Sequence, residues 1–131
     1  MQGDYAGSTS LYSQSLVIFR ELGIKGELAL TCARSATNLS VMGALSPAAV
    51  ALYGGQFQAA SLNYSPRHGD KRLIDEVQAR LAATVEEGTI SAAELKQWQA
   101  EGEAMNLDEL VQFTLDELEK LQENLGAATV S

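Results

Sequence analysis

The sequence predicts an all-α protein of six helices, arranged as a stack of antiparallel hairpins. Apolar residues recur at three- and four-residue steps through most of the chain. Glycine, proline and capping residues divide it into six such segments. Residues 27–42 have no broad polar face, so a helix there needs neighbours on most sides. We therefore predict that this segment, the hub helix, lies at the centre of the packing.

The first helix is predicted to begin at Asp4, a natural N-cap, and to end near Leu22. Its apolar stripe has small residues between the large ones and comprises Tyr5, Ser8, Tyr12, Ser15, Leu16 and Phe19. Gly23 and Gly26 lie at the two ends of a short connection to the hub. The first helix and the hub are therefore expected to form an antiparallel hairpin.

The hub carries two stripes, so elements before and after it can each cover one face. One stripe comprises Leu28, Cys32, Ala36 and Leu39; the other comprises Leu30, Ala33, Thr37 and Val41. Gly43 is expected to end the hub. Ser46, as N-cap, and Pro47, at the first helical position, predict a third helix that reaches about Leu62.

The Gly54 and Gly55 pair lies inside the third helix, where each glycine costs roughly 1 kcal/mol of helix propensity relative to alanine. Close approach of another helix backbone is the favoured explanation for this cost. A contact with a bound ligand is the alternative.

Residues 63–69 form the longest loop-like segment. We predict one helical domain with a boundary here, between a hairpin layer at residues 1–62 and acidic capping helices at residues 70–131. Asp70 is expected to cap the fourth helix, and Gly88 to end it.

Two capping boxes, at residues 91–94 and 106–109, predict the starts of the last two helices. The fifth helix is expected at residues 92–101, with Trp98 as its largest apolar side chain and Gly102 as its stop. The sixth is expected at residues 107–125, before Gly126. Its core-facing positions recur at alternating four- and three-residue steps and are Leu107, Val111, Thr114, Leu118, Leu121 and Leu125. Packing on its own domain is favoured over a coiled-coil dimer, because the pattern covers under three heptads.

The composition and charge of the chain limit the functions that it can have. The chain has 131 residues, 46% of them hydrophobic, and a net charge of −8, which suits one domain with one core. Residues 1–66 contain three acidic and three basic residues, so the whole excess of acid lies in the second half. Nucleic acids and anionic membranes are therefore disfavoured as partners. A single cysteine and no export or membrane segment indicate a cytoplasmic protein without a disulfide framework.

Several motifs that suggest chemistry have simpler explanations. Residues 83–94 match the end of a calcium-binding loop, but Ala83 and Val85 offer no side-chain oxygen at its first and third positions. His68 has no neighbouring cysteine or histidine and is expected to be an exposed loop residue. A DNA-reading helix-turn-helix from residue 92 onward would place carboxylates against phosphates. We therefore predict no metal, no cofactor and no enzymatic activity.

The opening residues, Gln2 to Tyr5 followed by Ser8, Tyr12 and Ser15, resemble the second half of a tetratricopeptide repeat. The hub is then similar to the first helix of the next repeat, with its packing positions at Cys32, Ala36 and Leu39. Residues 46–60 correspond to the second helix of that repeat. The resemblance implies a superhelix of hairpins ended by the acidic cap.

The second half is similar to the C-terminal end of the repeat arm in large bacterial signalling ATPases, including LuxR-like and MalT-like transcriptional regulators. The similarity rests on Tyr53 with the two following glycines, Trp98 with residues 99–105, and residues 107–110. It implies a non-catalytic segment that binds a protein partner, another domain of its parent protein, or an effector. The ATPase and DNA-binding modules of such regulators lie outside these residues.

Met1 directly before a half-repeat indicates a fragment of a longer protein, whose first helix has lost its covering neighbour. We therefore expect a self-contact, such as a homodimer, through Tyr5, Tyr12 and Phe19. If a binding groove exists, its floor is expected to be the groove stripe, which comprises Leu30, Arg34, Thr37 and Val41. Burial of this stripe by neighbouring helices is the favoured alternative.

Two other functions stay open at this level. One is a small-molecule sensor with a ligand enclosed beside Gly54, Gly55 and Trp98. The other is a purely structural cap of a repeat array, for which deletion of residues 70–131 would leave regulator activity intact.

Overall fold

A computed structural model describes residues 5–130, and describes side chains through Leu125. This part of the chain forms six α-helices and no strand. They are α1 (Tyr5–Leu22), α2 (Lys25–Val41), α3 (Leu45–Ser61), α4 (His68–Glu86), α5 (Ala92–Ala104) and α6 (Leu107–Val130). The all-α class and the number of helices are as predicted. The expected N-cap, Asp4, lies outside the described residues.

The hub helix, α2, lies at the centre of the packing, as predicted. Helices α1, α3, α4 and α6 all pack against it, and 11 of its 17 residues are buried. Some of these are polar and have partners on neighbouring helices. The Asn38 amide donates to Ser8 Oγ at 2.8 Å and to Thr9 Oγ1 at 2.9 Å. These bonds help to set the register of α1 against α2, because a buried polar group without a partner is costly.

The glycine pair in α3 allows two close helix crossings, which confirms the favoured explanation. A Cβ on Gly55 would lie 2.6 Å from the Ala29 carbonyl oxygen of α2. A Cβ on Gly54 would lie 2.9 Å from the Gly102 carbonyl oxygen of α5 and 2.7 Å from Leu110 Cδ1. Gly102 in turn lies against the Val50 carbonyl. Helix backbones approach this closely only where side chains are absent.

Gly102 was expected to end α5, and this prediction was wrong. The helix continues to Ala104, and Gly102 is buried inside it at the crossing with α3. Gly126 likewise does not end α6, which continues to Val130. Gly23, Gly43 and Gly88 do follow helix ends as predicted, and each has a positive φ, the conformation that favours glycine at helix C-termini.

The predicted starts of the last two helices are confirmed by their hydrogen bonds. Ser91 Oγ accepts from the Glu94 amide at 3.0 Å, and the Ser91 amide donates to the Glu94 carboxylate at 2.9 Å. Asn106 and Glu109 make the same reciprocal pair at 2.8 and 2.9 Å. Capping boxes are local, so three-residue spacing is sufficient to identify them.

Two other helix starts differ from prediction. Helix α3 begins at Leu45, ahead of the expected Ser46 and Pro47, and has no side-chain cap. Helix α4 begins at His68, ahead of Asp70. Asp70 instead occupies the third helical position and accepts from the Arg67 backbone amide at 3.2 Å. The other carboxylate oxygen of Asp70 pairs with Arg34 of α2.

The buried residues of the main core come from α1, α2, α3, α4 and α6. Its members extend from Leu16 to Leu121, and Leu95 and Trp98 of α5 pack against its edge. Helix α6 packs against α1, α2 and α3. The core therefore crosses the boundary predicted at residues 63–69, because α6 folds back onto the first half of the chain.

Candidate functional site

A cleft of about 390 Å³ opens between the end of α3, the connection to α4, and α4 itself. We call it the loop cleft. Its floor is apolar and includes Leu30, Ala59 and Ile74, all of them buried. Its other lining residues are Gln56, Ala60, Asn63, Tyr64, Ser65 and Pro66.

Local sequence explains the shape of the connection that walls the cleft. Asn63 has a φ of 55°, a left-handed conformation that asparagine tolerates better than most residues. The Tyr64 amide then donates to the Ala59 carbonyl at 2.9 Å, so the chain turns back across the end of α3. The Tyr64 ring lies on Gly26, where a Cβ would approach its ring carbons to 2.5 Å. Glycine at position 26 therefore makes room for the ring.

A network of charged side chains, which we call the ion cluster, fixes this connection to α2. Arg34 is at its centre: Nη1 lies 3.1 Å from Asp70 Oδ1, and Nη2 lies 3.7 Å from Glu27 Oε1. Arg34 Nη2 also donates to Thr31 Oγ1 at 2.7 Å. Glu27 accepts from the Tyr64 hydroxyl, and its Oε2 lies 3.3 Å from Arg67 Nη2.

The ion cluster is mostly shielded from solvent. The exposed fractions of the Glu27, Asp70 and Arg34 side chains are 13%, 9% and 21%, whereas Arg67 is 71% exposed. Shielded charges stay ionised only when they are paired and hydrogen-bonded. The cluster thus joins α2, the α3–α4 connection and the first turn of α4, and it holds one wall of the loop cleft in place.

Tyr64 gives this region a pH dependence. Its hydrogen bond to Glu27 raises its pKa above the ordinary value of 10, and burial adds to the effect. A pKa raised by folding contributes stability that is complete below about pH 10 and is lost as the pH rises through the raised value. We therefore expect Tyr64→Phe to lose less stability than the wild type as the pH rises above about 10. Urea unfolding across this pH range, with Tyr5→Phe as the matched control, measures the difference; equal losses in all three proteins would contradict it.

The groove stripe does not line a single groove. Leu30 forms part of the floor of the loop cleft, and Arg34 lies beside the cleft in the ion cluster. Thr37 and Val41 are half-buried farther along α2 and do not line the cleft. Helix α4 packs against α2, and successive residues of the groove stripe have different surroundings. The positions of these four residues are closer to the favoured alternative, burial by neighbouring helices, than to the floor of an open groove.

The residues expected to form a self-contact lie mostly on the inner side of α1. Tyr12 and Phe19 are half-buried and pack against the main core, and Tyr5 is half-buried. Burial raises the pKa of Tyr12; smaller contributions come from Arg34, which lowers it, and Asp70, which raises it. Helix α6 packs against α1, so α1 has a second neighbour besides α2, and the self-contact through Tyr5, Tyr12 and Phe19 stays a prediction. The exposed apolar residues of α1 are different ones.

The proposed ligand gap beside Gly54 and Gly55 is filled. The backbones of α2 and α5, together with Leu110, occupy the space next to both glycines. Trp98 is half-buried and packs against the main core. The space next to both glycines is therefore taken by protein atoms, and the loop cleft is a different place.

Chemically reactive groups do not converge on the cleft. Cys32 is fully buried, and burial raises the pKa of its thiol to about 12, so it stays protonated and unreactive at neutral pH. His68 is exposed, as expected, but in the first turn of α4 rather than in a loop. The described residues contain no cluster of three or more metal-ligating side chains. The arrangement of the cleft suits binding by shape and hydrogen bonds.

Sequence reasoning identified only Leu30 among the cleft residues. Its other walls come from the connection at residues 63–66, Gln56 and Ile74. The one available signal was that this is the longest connection between helices in the described part of the chain. None of the helices in the described part of the chain combines the length and apolarity needed to cross a membrane. Comparison of the whole chain found no matching family model, and no similar protein among the curated proteins or the solved structures searched.

Proposed function

We propose that this protein is a non-catalytic binding segment of a cytoplasmic bacterial regulator, which receives an effector or part of a protein partner in the loop cleft. One observation carries the proposal: an open cleft with a buried apolar floor and a hydrogen-bonding rim, held by the ion cluster. Its volume is within the range of about 300–1,000 Å³ typical of ligand pockets.

The lining indicates the chemistry of the ligand. None of the nine lining residues is charged; the apolar floor is surrounded by the amides of Gln56 and Asn63 and the hydroxyls of Tyr64 and Ser65. An uncharged, largely apolar group with one or two hydrogen-bonding atoms fits this environment, because burial of a charge without a partner is costly. Such a group is either a small effector or an apolar side chain of a partner protein.

The context of a regulator comes from the resemblance to tetratricopeptide-repeat arms of LuxR-like and MalT-like proteins. Antiparallel helices around a central hub are compatible with such an arm. In this proposal the segment senses or holds its ligand, and other modules of the parent protein produce the response.

Filling the loop cleft should abolish binding. Ala60 lies in the cleft and is exposed, so Ala60→Trp is expected to occupy it without disturbing the core. Ala82, exposed on α4, provides the matched control, Ala82→Trp. A library of uncharged fragments is added to methyl-labelled protein, and we expect hits to shift the NMR signals of Leu30, Ala59 and Ile74. A ligand at 100 times its dissociation constant should also add about 2.7 kcal/mol of stability.

Ala60→Trp should weaken each hit at least about tenfold, or roughly 1.4 kcal/mol, whereas Ala82→Trp should bind as the wild type does. Hits that shift other methyl groups, or that bind Ala60→Trp unchanged, would contradict the proposal. A library without hits, together with a native partner whose binding ignores Ala60→Trp, would contradict it as well.

A further inference from the structure

The exposed apolar surface of this protein is concentrated on one helix. Among the described residues, eight large hydrophobic side chains are exposed. Five of these eight lie on α1 and the turn after it, at Leu11, Val17, Ile18, Leu22 and Ile24. Leu11 and Leu22 are 63% and 66% exposed. Scattered exposed leucines are ordinary, but several exposed apolar side chains along one helix indicate a candidate binding surface.

The part of this surface at residues 5–19 also lacks charge, which points to its occupant. Residues 5–19 contain no charged residue, although the chain carries a net charge of −8, all of it from the second half. Two copies repel each other wherever their acidic surfaces meet. The outer face of α1 is a place where they can meet without that repulsion, and an oppositely charged partner would gain nothing there.

The pattern along α1 is complementary to itself. Gly7, Leu11, Ile18 and Leu22 lie on one stripe at helical spacing. Leu11 and Ile18 are equally distant from the point between Gln14 and Ser15. An antiparallel pair of α1 helices with its two-fold axis at that point sets Leu11 against Ile18 of the other copy.

We infer that α1 is a homodimer interface, in which two copies pair antiparallel through Leu11 and Ile18. The arrangement is isologous, as two-fold dimers require. It also brings Glu21 near the N-terminus of the other α1, where the helix dipole favours a carboxylate. This inference does not depend on the loop cleft, and the tyrosines on the inner side of α1 take no part in it.

The oligomeric state tests the inference. Analytical ultracentrifugation over a concentration series should show a dimer for the wild-type protein. Ile18→Glu should weaken the dimer at least about tenfold, because it places two unpaired carboxylates in an apolar contact. Phe57→Glu, at a residue that is 45% exposed on α3, is the matched control and should dimerise as the wild type does. Circular dichroism verifies that both variants are folded.

Cross-linking tests the antiparallel arrangement. Gln14→Cys lies next to the two-fold axis and should link to its own copy through a short bis-maleimide. Glu21→Cys should not, because its two positions are about 20 Å apart along the paired helices. Cys32 is fully buried and stays outside the reaction. A monomer at every concentration, equal weakening by Ile18→Glu and Phe57→Glu, or equal linking at positions 14 and 21 would overturn the inference.

Discussion

Gly55→Ala is expected to destabilise the protein by about 2 kcal/mol. The added Cβ would lie 2.6 Å from the Ala29 carbonyl oxygen and 2.8 Å from the Ala33 amide nitrogen. Both atoms belong to the backbone of α2 and cannot rotate away, so α3 must move off the hub. Overpacking of this kind costs roughly 1–3 kcal/mol or more. The gain of about 1 kcal/mol in helix propensity offsets part of the cost.

Gly69→Ala is the matched control, because nothing lies within 4 Å of a Cβ built there. Gly69 is exposed in the first turn of α4, so alanine there should be neutral or stabilise the protein by up to about 1 kcal/mol. Urea-induced unfolding measures both variants. A Gly55→Ala variant as stable as the wild type would show that the close crossing of α2 and α3 does not require glycine at this position.

Arg34→Met is expected to cost about 3 kcal/mol, the largest effect among the single substitutions proposed. It leaves the shielded carboxylates of Glu27 and Asp70 without the guanidinium that neutralises both. Removal of one member of a buried charge network typically costs about 3–5 kcal/mol, and the 21% exposure of Arg34 places the expectation at the low end of this range. Adding Asp70→Asn should recover part of the loss, because it removes the carboxylate whose ion pair was lost, whereas Glu27 keeps its pair with Arg67.

Lys120→Met provides the comparison with an exposed ion pair. Lys120 lies 3.1 Å from Glu117 but is 68% exposed, and exposed pairs contribute about 0–1 kcal/mol. Chemical denaturation of the three variants alongside the wild type measures the contrast. Equal losses for Arg34→Met and Lys120→Met would show that the ion cluster contributes no more than surface charge. NMR signals of the α3–α4 connection should also broaden in Arg34→Met if the cluster holds that connection in place.

Local sequence patterns predicted much of the secondary structure. The capping boxes at Ser91 and Asn106 form with the expected partners, since each depends on residues only three positions apart. The glycines after α1, α2 and α4 have the expected positive φ. The burial of the hub was also predictable, because a helix with no broad polar face must be covered by neighbours.

Long-range contacts decided what local patterns could not. The sequence suggests that Gly102 ends a helix. In the structure, α5 continues through Gly102, which lies where α3 crosses α5. The sequence suggests Asp70 as an N-cap. In the structure, one of its oxygens accepts a hydrogen bond from Arg34, 36 residues away in sequence, and so belongs to the ion cluster. For the candidate site, only Leu30 was predicted, because the loop cleft combines residues from α2, α3, α4 and a connection without periodicity.

By itself, the sequence determined that this is an all-α chain, where most helices begin and end, and which helix is central. These properties follow from periodicity and from interactions over three or four residues. The tertiary structure alone decided that α6 packs against α1, that Arg34 joins Glu27 to Asp70, and that a cleft opens beside Tyr64. The physical reason is that packing selects among the faces of each helix, and that choice depends on neighbours distant in the chain.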